Sequence, residues 1–102
     1  MWVLREESAD KAGQPLTFRL MPDSMKTIGR MRNADFVIEQ TLVSRIHCRL
    51  TNQDGHLEVE DLDSANGTYV NNQKIQRARL ASGDKLRIGQ LELVVSNEPI
   101  AD

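Results

Sequence analysis

Apolar and polar residues alternate along much of the chain in short runs, each closed by a turn signal. Leu16-Thr17-Phe18-Arg19-Leu20 sets an apolar side chain at every second position, the pattern of a strand with one buried face. His56-Leu57-Glu58-Val59-Glu60-Asp61-Leu62 alternates as cleanly, with Leu57, Val59 and Asp61 on one face. Because that face ends in a polar residue, the strand is expected to leave the core near Asp61. Lys85-Leu86-Arg87-Ile88 and Leu91-Glu92-Leu93-Val94-Val95 flank a close turn at Gly89-Gln90. Further extended pieces are expected at residues 1–5, 25–28, 35–38, 47–51, 68–70, 74–75 and 77–80, and a loop over 6–15. Asp54-Gly55 is a hairpin turn by composition, and Pro22-Asp23-Ser24, Asn71-Asn72-Gln73 and Ser82-Gly83-Asp84 carry turn chemistry. No helical periodicity outlasts a turn and no segment repeats. Roughly ten short strands at regular spacing predict an all-β sandwich.

Composition narrows the class. The 102 residues make one domain, long enough to bury its own core. There is no run of 18 apolar residues to span a membrane, and no secretory h-region opens the chain. A formal net charge of −2 argues against gripping a nucleic-acid backbone. Cys48 is the one cysteine, so no intrachain disulfide forms, and its apolar surroundings mark it as a core residue. These features fit an intracellular protein, cytoplasmic, or nuclear in a eukaryote.

Three clusters interrupt the strand pattern: Gly29-Arg30, Ser44-Arg45-Ile46-His47 and Asn66-Gly67-Thr68. Each stands at a strand end. Together they offer two guanidinium groups, a hydroxyl, a side-chain amide and backbone N–H groups freed by glycine. Gathered at one end of a sheet, they would form a small basic cup of hydrogen-bond donors, which suits a phosphate dianion. Ser44 and His47 also invite a nucleophile and base. Residues three apart entering a strand point to opposite faces, so catalysis is not expected. The carboxylates Glu58, Glu60, Asp61 and Asp63 divide between two faces, and two histidines with one cysteine make a poor zinc set. No metal, no cofactor and no enzymatic activity are expected.

These clusters in this order, with Leu80-x-x-Gly83-Asp84-x-Leu86 following, resemble the forkhead-associated (FHA) domain over roughly Trp2 to Val95. The resemblance implies about eleven short strands in two twisted sheets over residues 1–96, with 97–102 as an exit tail or the start of a linker. It also implies that loops at one end bind phosphothreonine in an extended peptide of a partner protein, downstream of a Ser/Thr kinase. Arg30 would contact the phosphate or order the loop beside it, Ser44 would donate its hydroxyl, and Arg45 offers a second charge. Asn66 would engage the peptide backbone. His47 would hold the serine-bearing loop, with Gly29, Gly67 and Thr68 in support. Two positions depart from the family pattern. Ala65 stands where a serine or threonine often helps to hold phosphate, leaving Ser64 or the Ala65 N–H to compensate. Asn72 replaces a common glycine in a turn away from the ligand. The resemblance further implies a module within a longer chain. The rival expectation is a sandwich that binds partners, or itself, without phosphate.

Overall fold

The computed structural model describes residues 1–7 and 15–99. Most of the expected 6–15 loop and the last three residues of the expected tail lie outside them. Eleven strands run in order: β1 Trp2–Glu6, β2 Thr17–Leu20, β3 Ser24–Gly29, β4 Phe36–Val37, β5 Cys48–Gln53, β6 His56–Asp61, β7 Thr68–Val70, β8 Gln73–Ile75, β9 Arg77–Leu80, β10 Lys85–Ile88 and β11 Leu91–Asn97. They form a six-stranded sheet ordered β2-β1-β11-β10-β7-β8 and a five-stranded sheet ordered β4-β3-β5-β6-β9. The all-β sandwich read from the alternation is the observed architecture.

The inner faces supply one core. Leu4, Leu20, Leu86, Ile88 and Leu93 of the larger sheet meet Ile28, Leu50, Leu57 and Val59 of the smaller one, all fully buried. Phe18 stacks on Phe36 with ring centroids 4.5 Å apart. Each such side chain contributes on the order of 1.5–3 kcal/mol by leaving water. Asp54 and Gly55 both take positive φ between β5 and β6, as do Asn71 and Asn72 between β7 and β8. Asparagine tolerates this left-handed backbone, so Asn72 does glycine's work in the two-residue hairpin turn.

Several strand ends shift by a residue or two from the sequence reading, β5 for one running on to Gln53, and three differences bear on the packing. Leu16 precedes β2 and is 38% exposed, although its carbonyl still accepts the Glu6 N–H at 2.8 Å. Strand β11 continues past Val95 to Asn97, because Trp2↔Asn97 and Val3↔Ser96 extend its ladder with β1. Asp61 does not leave the core: it is 8% exposed and pairs with Cys48 across β5–β6.

Register decides where the three clusters go. Ile28 pairs with Cys48, and Cys48 with Asp61. The end of β3, the start of β5 and the end of β6 therefore lie side by side at one end of the smaller sheet. From there residues 62–67 cross to β7 in the other sheet. Buried Ile38 and Val43 anchor the long connection from β4 to β5 onto the same end.

Candidate functional site

The site is assembled from backbone outward. Past Gly29 the chain lies against residues 44–47: the Arg30 N–H donates to the Ser44 carbonyl at 3.0 Å, the Met31 N–H to that of Arg45 at 3.2 Å, and the His47 N–H to that of Ile28 at 2.8 Å. A Cβ on residue 29 would stand 2.0 Å from the Arg45 carbonyl oxygen and 2.9 Å from the Ile46 Cα. Glycine is required there by this close approach. It brings Arg30 and Arg45 to the same rim. Arg30 is exposed, and its Nε donates to the Val43 carbonyl at 3.0 Å. That bond aims the guanidinium, and no other side-chain contact engages it among the described residues. Arg45 is likewise exposed.

His47 is completely buried. Its Nδ1 accepts the Ser44 N–H at 3.0 Å, so its proton sits on Nε2, which donates to the Gly67 carbonyl 2.9 Å away. One neutral ring thus ties the serine-bearing loop to the loop that carries Asn66. Neither ring nitrogen meets the Ser44 hydroxyl. That oxygen instead accepts the Ala65 N–H at 2.9 Å, which leaves the hydroxyl proton free to be donated elsewhere. The ring does reach Ser44, contrary to the poor contact expected from strand geometry, but at the backbone amide.

The loop 62–67 is held from below by Asp61. Its carboxylate accepts the Thr68 hydroxyl at 2.7 Å, the Ser64 N–H at 3.2 Å and the Ser64 hydroxyl. Burial alone would raise the pKa of Asp61. The hydrogen bonds that Asp61 accepts from Ser64 and Thr68 outweigh burial and hold it below the usual carboxylate value. Thr68 is fully buried and Gly67 takes φ +85°. Asn66 is exposed, with its Nδ2 donating to the Leu42 carbonyl at 3.0 Å. Cys48, beneath this network, has its thiol pushed far up by burial and by the Asp61 charge, which makes it an inert core group.

Arg30, Ser44, Arg45, Asp63, Ala65 and Asn66 all line one cavity of about 380 Å³. An adjoining cleft of about 550 Å³ shares Arg30 and Thr41 and continues along Arg32, Val37, Glu39 and Gln40. The cavity carries two guanidinium groups and a free hydroxyl proton over backbone fixed by His47. That combination can hold a compact anion. The cleft can hold what extends from it.

Of the residues expected at the site, Arg30, Ser44, Arg45, Ala65 and Asn66 converge on the cavity, while Gly29, His47, Gly67 and Thr68 support it from within. Ser64 does not line it, because its hydroxyl is turned to Asp61. Nor is the Ala65 N–H free, since Ser44 takes it. Two residues were missed. Asp61 had a signal, its place on the core face of an alternating strand. Asp63 had none beyond its proximity to Asn66. Among the described residues no group of three His, Cys, Asp or Glu side chains is placed to hold a metal ion, and no helix is long and apolar enough to cross a membrane.

Comparison with known proteins agrees with the fold. The FHA domain family model matches residues 26–89. The oxoglutarate dehydrogenase inhibitor of Corynebacterium diphtheriae is 41% identical over 75 residues, 74% of this chain and 52% of that protein. The chain thus spans about half the length of that relative. Among solved structures, the FhaA FHA domain complexed with the intracellular domain of Rv3910 superposes with a TM-score of 0.83 at 32% identity, covering 94% of this chain and all of that one. An FHA domain from a structural and functional analysis of phosphothreonine-dependent interactions gives a TM-score of 0.81 at 33% identity, covering 97% and 98%. Family match and structural likeness agree, and the chain belongs to the FHA domain family.

Proposed function

We propose that this domain recognises phosphothreonine in an extended segment of a partner protein, with the phosphate in the cavity between Arg30, Ser44 and Arg45. The observation that carries the reading is the convergence of those three side chains from two separate loops onto one cavity, with Asn66 on its rim. A phosphorylated side chain brings about −1.5 to −2 charges and several acceptor oxygens. Arg30 supplies a guanidinium already aimed by Val43, Ser44 a hydroxyl proton left over from its contact with Ala65, and Arg45 a second cation. Asn66 releases Leu42 and turns its amide to the peptide backbone. The similarity to an FHA domain whose interactions depend on phosphothreonine supports the choice of side chain. The domain performs no chemistry on what it binds: the hydroxyl and the imidazole do not meet. It reads the product of a Ser/Thr kinase and docks the modified protein, inside the cell where such kinases act.

Titration with a phosphothreonine peptide and its unphosphorylated twin tests this. The native protein binds the first and not the second. Arg30→Ala weakens binding roughly 10- to 100-fold, the value of one charge-assisted pair, and leaves the unfolding midpoint in place, because the side chain is exposed. Equal affinity for the two peptides would instead establish a phosphate-independent interaction domain.

A further inference from the structure

Asp63 is the unexpected member of the cavity. It is exposed, lines the same space as Arg30 and Arg45, and has no hydrogen-bond or ion-pair partner among the described residues. A carboxylate on the lining of a phosphate site weakens it, so its presence calls for a reason. Backbone geometry is not a sufficient one. Residue 63 has φ +54°, which asparagine or glycine accepts as readily, so the turn does not ask for a negative charge. The neighbouring Asp61 does need its charge, to hold Ser64 and Thr68. Asp63 holds nothing.

The charge balance of the cavity suggests what the carboxylate is for. Its lining has two guanidinium cations, one carboxylate and otherwise neutral groups, hence one net positive charge. A phosphate of about −1.5 to −2 is not neutralised by that. A cation carried by the ligand itself would complete the balance and give the free Asp63 carboxylate a partner. We propose that Asp63 is a specificity-determining residue, which makes the site prefer phosphothreonine peptides with a lysine or arginine close to the phosphorylated residue and disfavour those with acidic neighbours. The mechanism combines a favourable pair with a penalty against the wrong ligand. It rests on the phosphothreonine reading above.

The test uses a phosphothreonine peptide with alanine neighbours, the same peptide with lysine at each flanking position in turn, and the unphosphorylated forms. They are titrated against the native domain and Asp63→Asn, which keeps the turn geometry. For the native protein, lysine at one or two positions tightens binding by about 1.5-fold to fivefold, the range of an exposed ion pair. The preference shrinks at high salt. In Asp63→Asn the lysine preference disappears and the all-alanine phosphopeptide binds tighter than it does to the native protein. Phosphate-dependent binding with the same lysine preference in both proteins, or with none in the native one, would overturn the role of Asp63 alone. Loss of all discrimination between phosphorylated and unphosphorylated peptides in the native protein would overturn the phosphothreonine reading and this inference with it.

Discussion

Strands β5 and β6 carry polar and charged side chains on both faces, and the two faces put them to opposite uses. On the outer face Thr27, Arg49, Glu60 and Arg77 lie in register across β3, β5, β6 and β9. Arg49 pairs with Glu60, and Arg77 reaches Glu60 at 3.1 Å and Glu58 at 3.3 Å. These groups stay in contact with water, so each pair exchanges one set of favourable interactions for another. On the inner side, at the cavity end, Asp61 closes β6, His47 stands just before β5 and Thr68 opens β7 of the facing sheet, all three buried. Here every donor and acceptor has a designated partner, and losing one leaves another stranded without water. The outer ladder keeps the sheet soluble and in register. The inner network ties the loops that line the cavity to one another. Burial, not charge, separates the two, and perturbing each in turn should expose the difference.

The largest effect is expected where the inner network meets backbone. Gly29→Ala must drive a methyl group against the Arg45 carbonyl, with backbone atoms rather than a yielding side chain in the way. Residues 44–47 have to lift away from β3. We expect a loss of about 3 kcal/mol or more, at or above the usual range for overpacking, together with weakened ligand binding, since Ser44 and Arg45 ride on the displaced segment. Chemical denaturation with and without phosphopeptide measures both. A variant as stable as the native protein would mean that the contact at Gly29 is looser than the 2.0 Å approach indicates.

Asp61 comes next. Asp61→Asn keeps the shape but turns an amide N–H₂ toward the Ser64 and Thr68 donors, and should cost about 2 kcal/mol at neutral pH. The pH dependence carries the sign. Because the folded-state pKa of Asp61 is depressed, its contribution to stability is fully present above the unfolded value of about 3.9 and fades as pH falls through the lower folded value. The gap in stability between native and Asp61→Asn proteins should therefore be constant from neutral pH to about 5 and close below about 4. A gap that persisted to strongly acidic pH would show that the carboxylate's charge is not what holds the loop.

Asp61 also shows how far the sequence could be read. Alternation placed it correctly on the face of Leu57 and Val59, but hydrophobic periodicity treats a polar residue on that face as the end of burial. It has no way to count partners that arrive from Ser64 and Thr68, and a satisfied carboxylate stays inside. Ser64 was misjudged for the same reason, since its hydroxyl was free on paper and is engaged in space. Gly29, Arg30, Ser44, Arg45 and Asn66 were legible because each interrupts a strand pattern with chemistry that a turn alone does not need. Asp63 was not, because a left-handed turn residue and a specificity residue look the same in a sequence. Strand ends were least legible. The last residues of β11 are strand because β1 lies beside them, and that fact belongs to the fold rather than to the residues 96 and 97.

The smallest effect is expected on the outer ladder. Arg77 touches both Glu58 and Glu60, and Arg49 beside Glu60 is the leading cause that holds the Glu60 carboxyl below its usual value, with Arg77 contributing less. Arg77→Ala removes two of the three ion pairs of this ladder, yet all the side chains involved remain exposed enough for water and salt to replace what is lost. Arg49 stays with Glu60, so no carboxylate is left stranded. The unfolding midpoint should move by about 2 °C or less and become insensitive to the substitution in high salt. Phosphopeptide affinity should change little, because the Arg77 side chain engages Glu58 and Glu60 on the outer face, whereas the link from β9 to Asp61 runs through Gln76, which the substitution leaves in place. A drop as large as that of Asp61→Asn would mean that the ladder works as one coupled network rather than as separate pairs. A double-mutant cycle between Arg49 and Arg77 would then measure the coupling through Glu60. The contrast between the two faces would then rest on connectivity rather than on burial.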